Sequence, residues 1–259
     1  MKDRSAYLFI NQEHATKQMI FRLENYKDKK CCVVAVSNNA VTMAKELVRK
    51  LNADLFFIPS ITMRDPAGSP NSIGVVSFDY VITYNVCRDI PQNFIYRHAL
   101  TLQSELFSRY PGLDTPVLSE FQNRVVILVD DLVENSEKML GLLEAIQRQQ
   151  PQEIVVAIPV IMRDAAHRIM EEDVPTLFIH KVLEHSMDMA YHNFIPLTDG
   201  EVIWLLRSEI GEVIENKTPF SKTSAVKKVG RSSLNYPEPV MPGLKKINKG
   251  LARSPINVE

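Results

Sequence analysis

Apolar residues along this chain fall into two alternating rhythms. Uninterrupted β-branched and aliphatic runs recur at 31–36 (CCVVAV), 54–58 (DLFFI), 125–129 (VVILV), 153–160 (EIVVAIPV) and 176–180 (TLFIH). A run with no polar face is the pattern of a strand covered by helices on both sides of a parallel sheet. Between the runs, apolar residues return at helical spacing. They are Ala15, Met19, Ile20 and Leu23 within 12–26, the stretch SNNAVTMAKELVRKL after the first run, and Phe94, Leu100, Leu102 and Phe107 within 92–110. The same spacing holds for Met139, Leu140, Leu142, Leu143 and Ile146, for a segment from about Arg163 to Glu172, and for Asp199 to Glu209, which carries the only tryptophan, Trp204. This alternation predicts an α/β fold with a mostly parallel, doubly wound sheet flanked by helices.

The rhythm breaks at residues 59–72, whose three prolines and one glycine read as a long loop, a length usually kept for function. Arg64 and Asp65 are lid candidates within it. Ile73–Ser77 and Tyr80–Tyr84 read as a β-excursion, and residues 181–198, rich in His and Met, as irregular.

The most informative stretch is 124–148, RVVILVDDLVENSEKMLGLLEAIQR. A buried strand runs into Asp130 and Asp131, where open α/β sheets bind ligands, outside the carboxyl ends of their strands. The turn from Leu132 to Lys138 then precedes a helix, whose free N–H groups favour an anion.

These residues resemble the type I phosphoribosyltransferases. The resemblance implies that Asp130 and Asp131 grip the hydroxyls of a ribose and that the following turn holds its 5'-phosphate, placing Asn135, Ser136 and Lys138 at the ligand. It further implies a pyrophosphate turn at Ser37, Asn38, Asn39 and Ala40, a small hood, and Mg2+ carried on the pyrophosphate. Both turns depart from the family pattern. Glu134, Asn135, Ser136, Glu137 and Lys138 replace its small residues, and the first turn lacks every Gly and the Arg. Further landmarks extend the resemblance over about residues 8–207, to a subgroup of open function. They are SIGVVS at 72–77, a helix ending near Arg109 and Tyr110, and YHNF followed by TDGEV at 191–202.

The expected hood is built from the N-terminal segment and residues near 181–198. The expected function is binding of a small ribose-5-phosphate ligand, with transfer of the phosphoribosyl group to an acceptor as the implied reaction. The alternative is a non-catalytic ligand-sensing or interaction protein that kept the fold and lost the phosphate turns. The two differ in the weight given to Asp130 and Asp131 against the missing glycines.

Other candidates have bland readings. Asn38, Asn39 or Ser37 can simply cap the following helix. Cys31 and Cys32 lie in a buried run and read as core. His180, His185 and His192 with Asp188 match no zinc spacing, so no metal ligands are assigned.

A chain of 259 residues, 45% hydrophobic and 24% charged, suffices for one such domain, here 1–212, plus an appendage. From Glu215 onward stand nine Lys and Arg against three Asp and Glu, leaving 21 basic and 28 acidic residues before it. The body thus carries about −7 and the tail about +6. The stretch 213–259 is expected to be a basic, disordered tail. With only Phe220 and Tyr236 as aromatics it offers no stacking platform, so a solvated tail is expected over a nucleic-acid site. Three cysteines without a disulfide pattern fit a reducing cytoplasm. No run approaches the roughly 20 apolar residues of a membrane span, and MKDRSAYLFINQEHA has no signal-peptide core. A homodimer is compatible with all of this.

Overall fold

In the computed structural model, which describes residues 7–66, 68, 72–84, 90–113, 118–183 and 187–216, the five apolar runs form one parallel sheet. The strands, in chain order, are β1 (Phe9–Asn11), β2 (Cys31–Ala35), β3 (Asp54–Phe57), β4 (Ile61–Arg64), β5 (Ser72–Val76), β6 (Val81–Thr83), β7 (Val125–Val129), β8 (Leu132–Val133), β9 (Glu153–Met162), β10 (Thr176–Val182) and β11 (Tyr191–Asn193). The helices are α1 (Gln12–Arg22), α2 (Ala40–Leu51), α3 (Gln92–Arg109), α4 (Glu137–Gln147), α5 (Arg163–Met170), α6 (Met187–Ala190) and α7 (Asp199–Asn216). The large sheet has the order β10-β9-β7-β2-β3, with every pairing parallel.

All five residues of β7 are buried, because helices cover both faces. On one face Cys32, Val34, Val126, Leu128 and Val156 share a core with residues of α4 and α5. Strand alternation turns Val33, Ala35, Ile127 and Val129, also buried, to the opposite face, where α1 and α2 pack together against the sheet. Burying each such side chain contributes about 1.5–3 kcal/mol, so the strand that carries the acidic pair is firmly anchored.

The helix ends follow from local chemistry. The Asn11 side chain accepts from the N–H of His14 at 2.9 Å and caps α1, and Asn52, left-handed at φ 56°, ends α2. Thr198 and Glu201 form a reciprocal capping box at the start of α7, with 2.8 Å from Thr198 N to Glu201 Oε2 and 3.3 Å from Glu201 N to Thr198 Oγ1.

Three expectations need correction. Part of the long loop 59–72 is a strand: β4 pairs antiparallel with β5, which pairs antiparallel with β6. Met63 of β4 packs with Ile73 and Val76 of β5 against Ile95, Ala99 and Leu102 of α3, and the prolines around β4 hid the pattern. The turn after the acidic pair is shorter than 132–138, since Leu132 and Val133 form β8, paired with Val160 and Ile161 of β9. The stretch 181–198 is only partly irregular, because β10 runs to Val182 and Tyr191–Asn193 forms β11. That strand pairs in parallel with β1, and the two form a small separate sheet from the N-terminal segment and the stretch 181–198, where the hood is expected.

The chain divides into a unit Met1–Leu205 and a unit Leu206–Glu259. Of the second, only the end of α7 to Asn216 is described, so the expected disorder of the tail lies outside the described residues. Among the described residues no helix is long and apolar enough to cross a membrane.

Candidate functional site

The direction of winding reverses at β2. From its carboxyl end the chain passes through α2 to β3 on one side, while β7 lies on the other. The loops leaving β2 and β7 therefore diverge and open a crevice, the position at which doubly wound sheets bind ligands. Asp130 and Asp131 sit in it.

Ser37, two residues past the end of β2, spans the gap. Its hydroxyl donates to Asp130 Oδ1 at 2.5 Å and accepts from the N–H of Ala40 at 3.3 Å. The N–H of Asp131 also donates to Asp130 Oδ1, at 3.0 Å. Asp131 is 2% exposed, and its carboxylate accepts a long hydrogen bond from Gln12 Nε2 of α1 at 3.4 Å. Burial pushes the Asp130 carboxyl above its usual range, offset in part by Ser37. Burial pushes Asp131 well above that range too, and the charge of Asp130 pushes it further. Two adjacent carboxyls, Asp131 buried and Asp130 half-buried, that resist ionising together suit neutral hydroxyl partners, to which one can accept and the other, protonated, donate.

The turn after the pair is less open than its sequence suggests. Glu134 and Asn135 are exposed, whereas Ser136 is buried at the N-terminus of α4 with its hydroxyl unpartnered. Glu137 Oε2 is buried and unpartnered as well, and the Glu137 carbonyl accepts from the Tyr84 hydroxyl at 2.8 Å. Lys138 is exposed on the first turn of α4, and its charge reaches Asp130 and favours the carboxylate. Ser136 and Lys138 thus flank the N-terminus of α4, where free N–H groups remain. An unpartnered buried hydroxyl and carboxylate are each costly, and an incoming phosphate could satisfy the first but not the second.

Asn38 and Asn39 lie beside the pair but are engaged elsewhere. Asn38 Nδ2 donates to Asp199 Oδ1 at 2.7 Å and to the carbonyl of Leu197 at 3.3 Å, and Asn38 Oδ1 accepts from the Tyr110 hydroxyl at 2.7 Å. Asn39 Oδ1 accepts from the N–H of Leu197 at 3.0 Å, and the Asn39 carbonyl accepts from Gln12. Of the three cap candidates, only the Ser37 side chain bonds an N–H of α2.

The hood is tied to the same place. The Tyr191 hydroxyl donates to the Asp131 carbonyl at 3.1 Å, and its ring stacks on Phe9 and Phe194. His180 and His192 are used in packing, edge-on to Phe9 and Tyr7 at 5.1 Å each. Among the described residues no group of three or more His, Cys, Asp or Glu could hold a metal, and His185 and the Asp188 side chain lie outside them. A cleft of about 300 Å³ lies in the hood, lined by Tyr7, Phe9, His14 and His192 among others, and not at the acidic pair. Arg64 ends β4, and the Asp65 carbonyl accepts from the N–H of Gly68 at 3.1 Å. Cys31 and Cys32 are buried, and burial raises both thiols, that of Cys32 to about 12, as core residues.

A family model described as the phosphoribosyl transferase domain matches residues 8–190. The chain belongs to that family. Its fold is similar to the crystal structure of TT1426 from Thermus thermophilus, with a TM-score of 0.67 and 22% identity over 77% of this chain and 98% of that one. More distant are a hypothetical protein from Neisseria gonorrhoeae with bound ppGpp (TM-score 0.44, 13% identity, 75% of this chain and 90% of that one) and a purine phosphoribosyltransferase from Pyrococcus horikoshii Ot3 (0.40, 13%, 71% and 85%). None of the curated protein sequences compared with the chain matches it.

For a phosphoribosyl transferase domain, the donor set fits a ribose better than a magnesium pyrophosphate. The turn 37–40 has no basic side chain, and its two amide side chains already hold residues 197–199. The residues that complete the site, Gln12, Ser37, Arg109, Tyr110, Tyr191 and Asp199, come from four distant segments. Several stood inside sequence landmarks, but only their meeting in space gives them a role.

Proposed function

We propose that this phosphoribosyl transferase domain binds a ribose-5-phosphate ligand, with Asp130 and Asp131 receiving the ribose hydroxyls. The 5'-phosphate would lie at the N-terminus of α4, against the N–H groups of that turn, the Ser136 hydroxyl and the exposed Lys138. One observation carries the reading: two adjacent carboxyls, one of them buried and reached by a long hydrogen bond from Gln12, end a rigid strand at the switch point of the sheet. Holding two adjacent carboxyls largely out of water is unfavourable, which a ligand with two hydroxyls would relieve.

Transfer of the phosphoribosyl group to an acceptor is the reaction that the family resemblance implies. A non-catalytic, ligand-sensing role is favoured by the engagement of Asn38 and Asn39, which leaves the turn after β2 without a free side-chain donor for a leaving group. Both roles require the same ribose-phosphate ligand, and they part only at the transfer step.

The test is calorimetric titration with ribose 5-phosphate and nucleoside monophosphates, on the wild type and on Asp130→Asn with Asp131→Asn. Hydrogen bonds to charged acceptors are worth about 1.5–3 kcal/mol each, so the double variant should bind more than about tenfold more weakly while remaining folded. Equal affinity in the two proteins would refute the assignment.

A further inference from the structure

The outermost strand of the large sheet, β10, has β9 on one side and, among the described residues, no strand on the other. One bond fixes its backbone directions. The N–H of Val156 donates to the Pro175 carbonyl at 2.8 Å, so Pro175 turns its carbonyl toward β9. Successive residues of a strand turn their backbone groups to opposite sides, so Leu177, Ile179 and Lys181 also face β9, while Thr176, Phe178, His180 and Val182 present N–H and C=O groups outward. Such a row is a template for another extended strand. The opposite edge of the sheet is blunted, because β3 has only four residues and begins at the exposed Asp54, paired with Arg124. β10 is not. Its seven residues, TLFIHKV, include one Lys and no acid, and all except Lys181 are half-buried.

The two ends of this edge carry opposite charge. Glu171, Glu172 and Asp173, all exposed, stand just before β10, whereas Lys181 is exposed near its far end and the charge of Arg22, from α1, reaches the adjacent His180. Each end also carries an exposed apolar side chain, Met170 at 54% before the strand and Leu183 at 62% after it. An edge that is acidic at its start and basic at its end complements a copy of itself laid antiparallel, because the acidic end of one then lies beside the basic end of the other. We propose that β10 is a homodimer interface, at which two copies of the chain pair antiparallel about a two-fold axis at Ile179 and join their large sheets into one. Overlap selects that axis. Phe178 then exchanges hydrogen bonds with the partner's His180, and Thr176 with the partner's Val182, so every outward residue is used. Ile179 faces the partner's Ile179 in a non-hydrogen-bonded pair with Cα atoms about 4.5 Å apart, Leu177 faces the partner's Lys181, and no like charges are opposed. The contact is isologous, so it closes at two copies.

The interface is independent of any ligand and is tested on the full chain. Sedimentation equilibrium at micromolar concentration should find the wild type dimeric. Ile179→Lys sets two like charges against each other at the axis and should weaken association about tenfold or more, with an unchanged far-UV circular dichroism spectrum. Ile179→Cys reads the register. Two thiols across such a pair lie within disulfide reach, so mild oxidation should crosslink this variant well above the wild type, whose own cysteines set the background. Leu177→Cys, opposite the partner's Lys181, should stay at that background. A monomeric wild type overturns the proposal, as does a dimer that a folded Ile179→Lys protein retains at full strength, since the contact would then lie elsewhere. If Ile179→Lys fails to fold, the cysteine variants decide: crosslinking at 179 and not at 177 supports the interface, and any other pattern overturns it.

Discussion

The Ser37 hydroxyl donates to Asp130 Oδ1 across 2.5 Å and joins the carboxyl ends of the neighbouring parallel strands β2 and β7. The same hydroxyl also bonds the first turn of α2. Ser37→Ala should leave Asp130 with fewer donors and Ala40 N–H without its partner. The expected cost is about 1–3 kcal/mol in stability, together with weaker ribose-phosphate binding. Urea denaturation and calorimetry of the variant check the two effects separately.

The acidic pair should make stability fall as pH rises. Asp131 has a raised carboxyl, so its contribution is fully present below the ordinary carboxylate value and is lost as pH climbs through the raised one. Asp131→Asn removes that loss. The variant should match the wild type near pH 4 and exceed it at about pH 8, by roughly 2–4 °C in Tm per kcal/mol recovered. Asp199 has the opposite sign: its lowered carboxyl contributes above the ordinary value and loses that contribution only as pH falls toward about 2. Thermal melts of wild type, Asp131→Asn and Asp199→Asn across pH would show the two opposed slopes, and parallel curves would contradict both assignments.

The turn at α4 should be improvable as a phosphate site. Glu137 brings a buried, unpartnered carboxylate oxygen to the helix N-terminus, where it opposes any anion. Two unit charges 4 Å apart repel by about 4 kcal/mol at an effective dielectric of 20. Glu137→Gly should therefore strengthen ribose 5-phosphate binding, read by calorimetry against the wild type. No gain would mean that the phosphate does not approach this turn.

Gly74 should tolerate no side chain. It lies in β5 between β4 and β6, and a Cβ there would collide with the Ile82 carbonyl of β6 and press on the Met63 side chain. Gly74→Ala should cost about 1–3 kcal/mol, because backbone cannot yield as a flexible side chain can. A denaturation midpoint within error of the wild type would contradict this close packing of β5 on β6.

Much of the fold was legible in the sequence, and for a simple reason. In a parallel sheet buried on both faces, each strand needs an unbroken apolar run and each crossover helix a periodic apolar stripe, so CCVVAV, VVILV and EIVVAIPV announce themselves locally. What failed was short or lacked contrast. The strand Ile61–Arg64 lies between prolines, and β1, β8 and β11 span only two or three residues, too few to show a period.

Asp130 and Asp131 were likewise evident, because a carboxylate pair directly after a buried run is a local pattern. That one is nearly sealed, that both resist ionising, and that Asn38 and Asn39 face residues 197–199 rather than open solvent are facts of tertiary structure. The contacts that decide them join residues 37 with 130, 109 with 199 and 191 with 131. The chain's pattern of apolar and polar residues therefore determined the sheet, its helices and the place of the acidic pair. Only the folded chain decided the protonation of that pair and the occupant of the neighbouring turn, because burial and charge act through space and leave no period in the sequence.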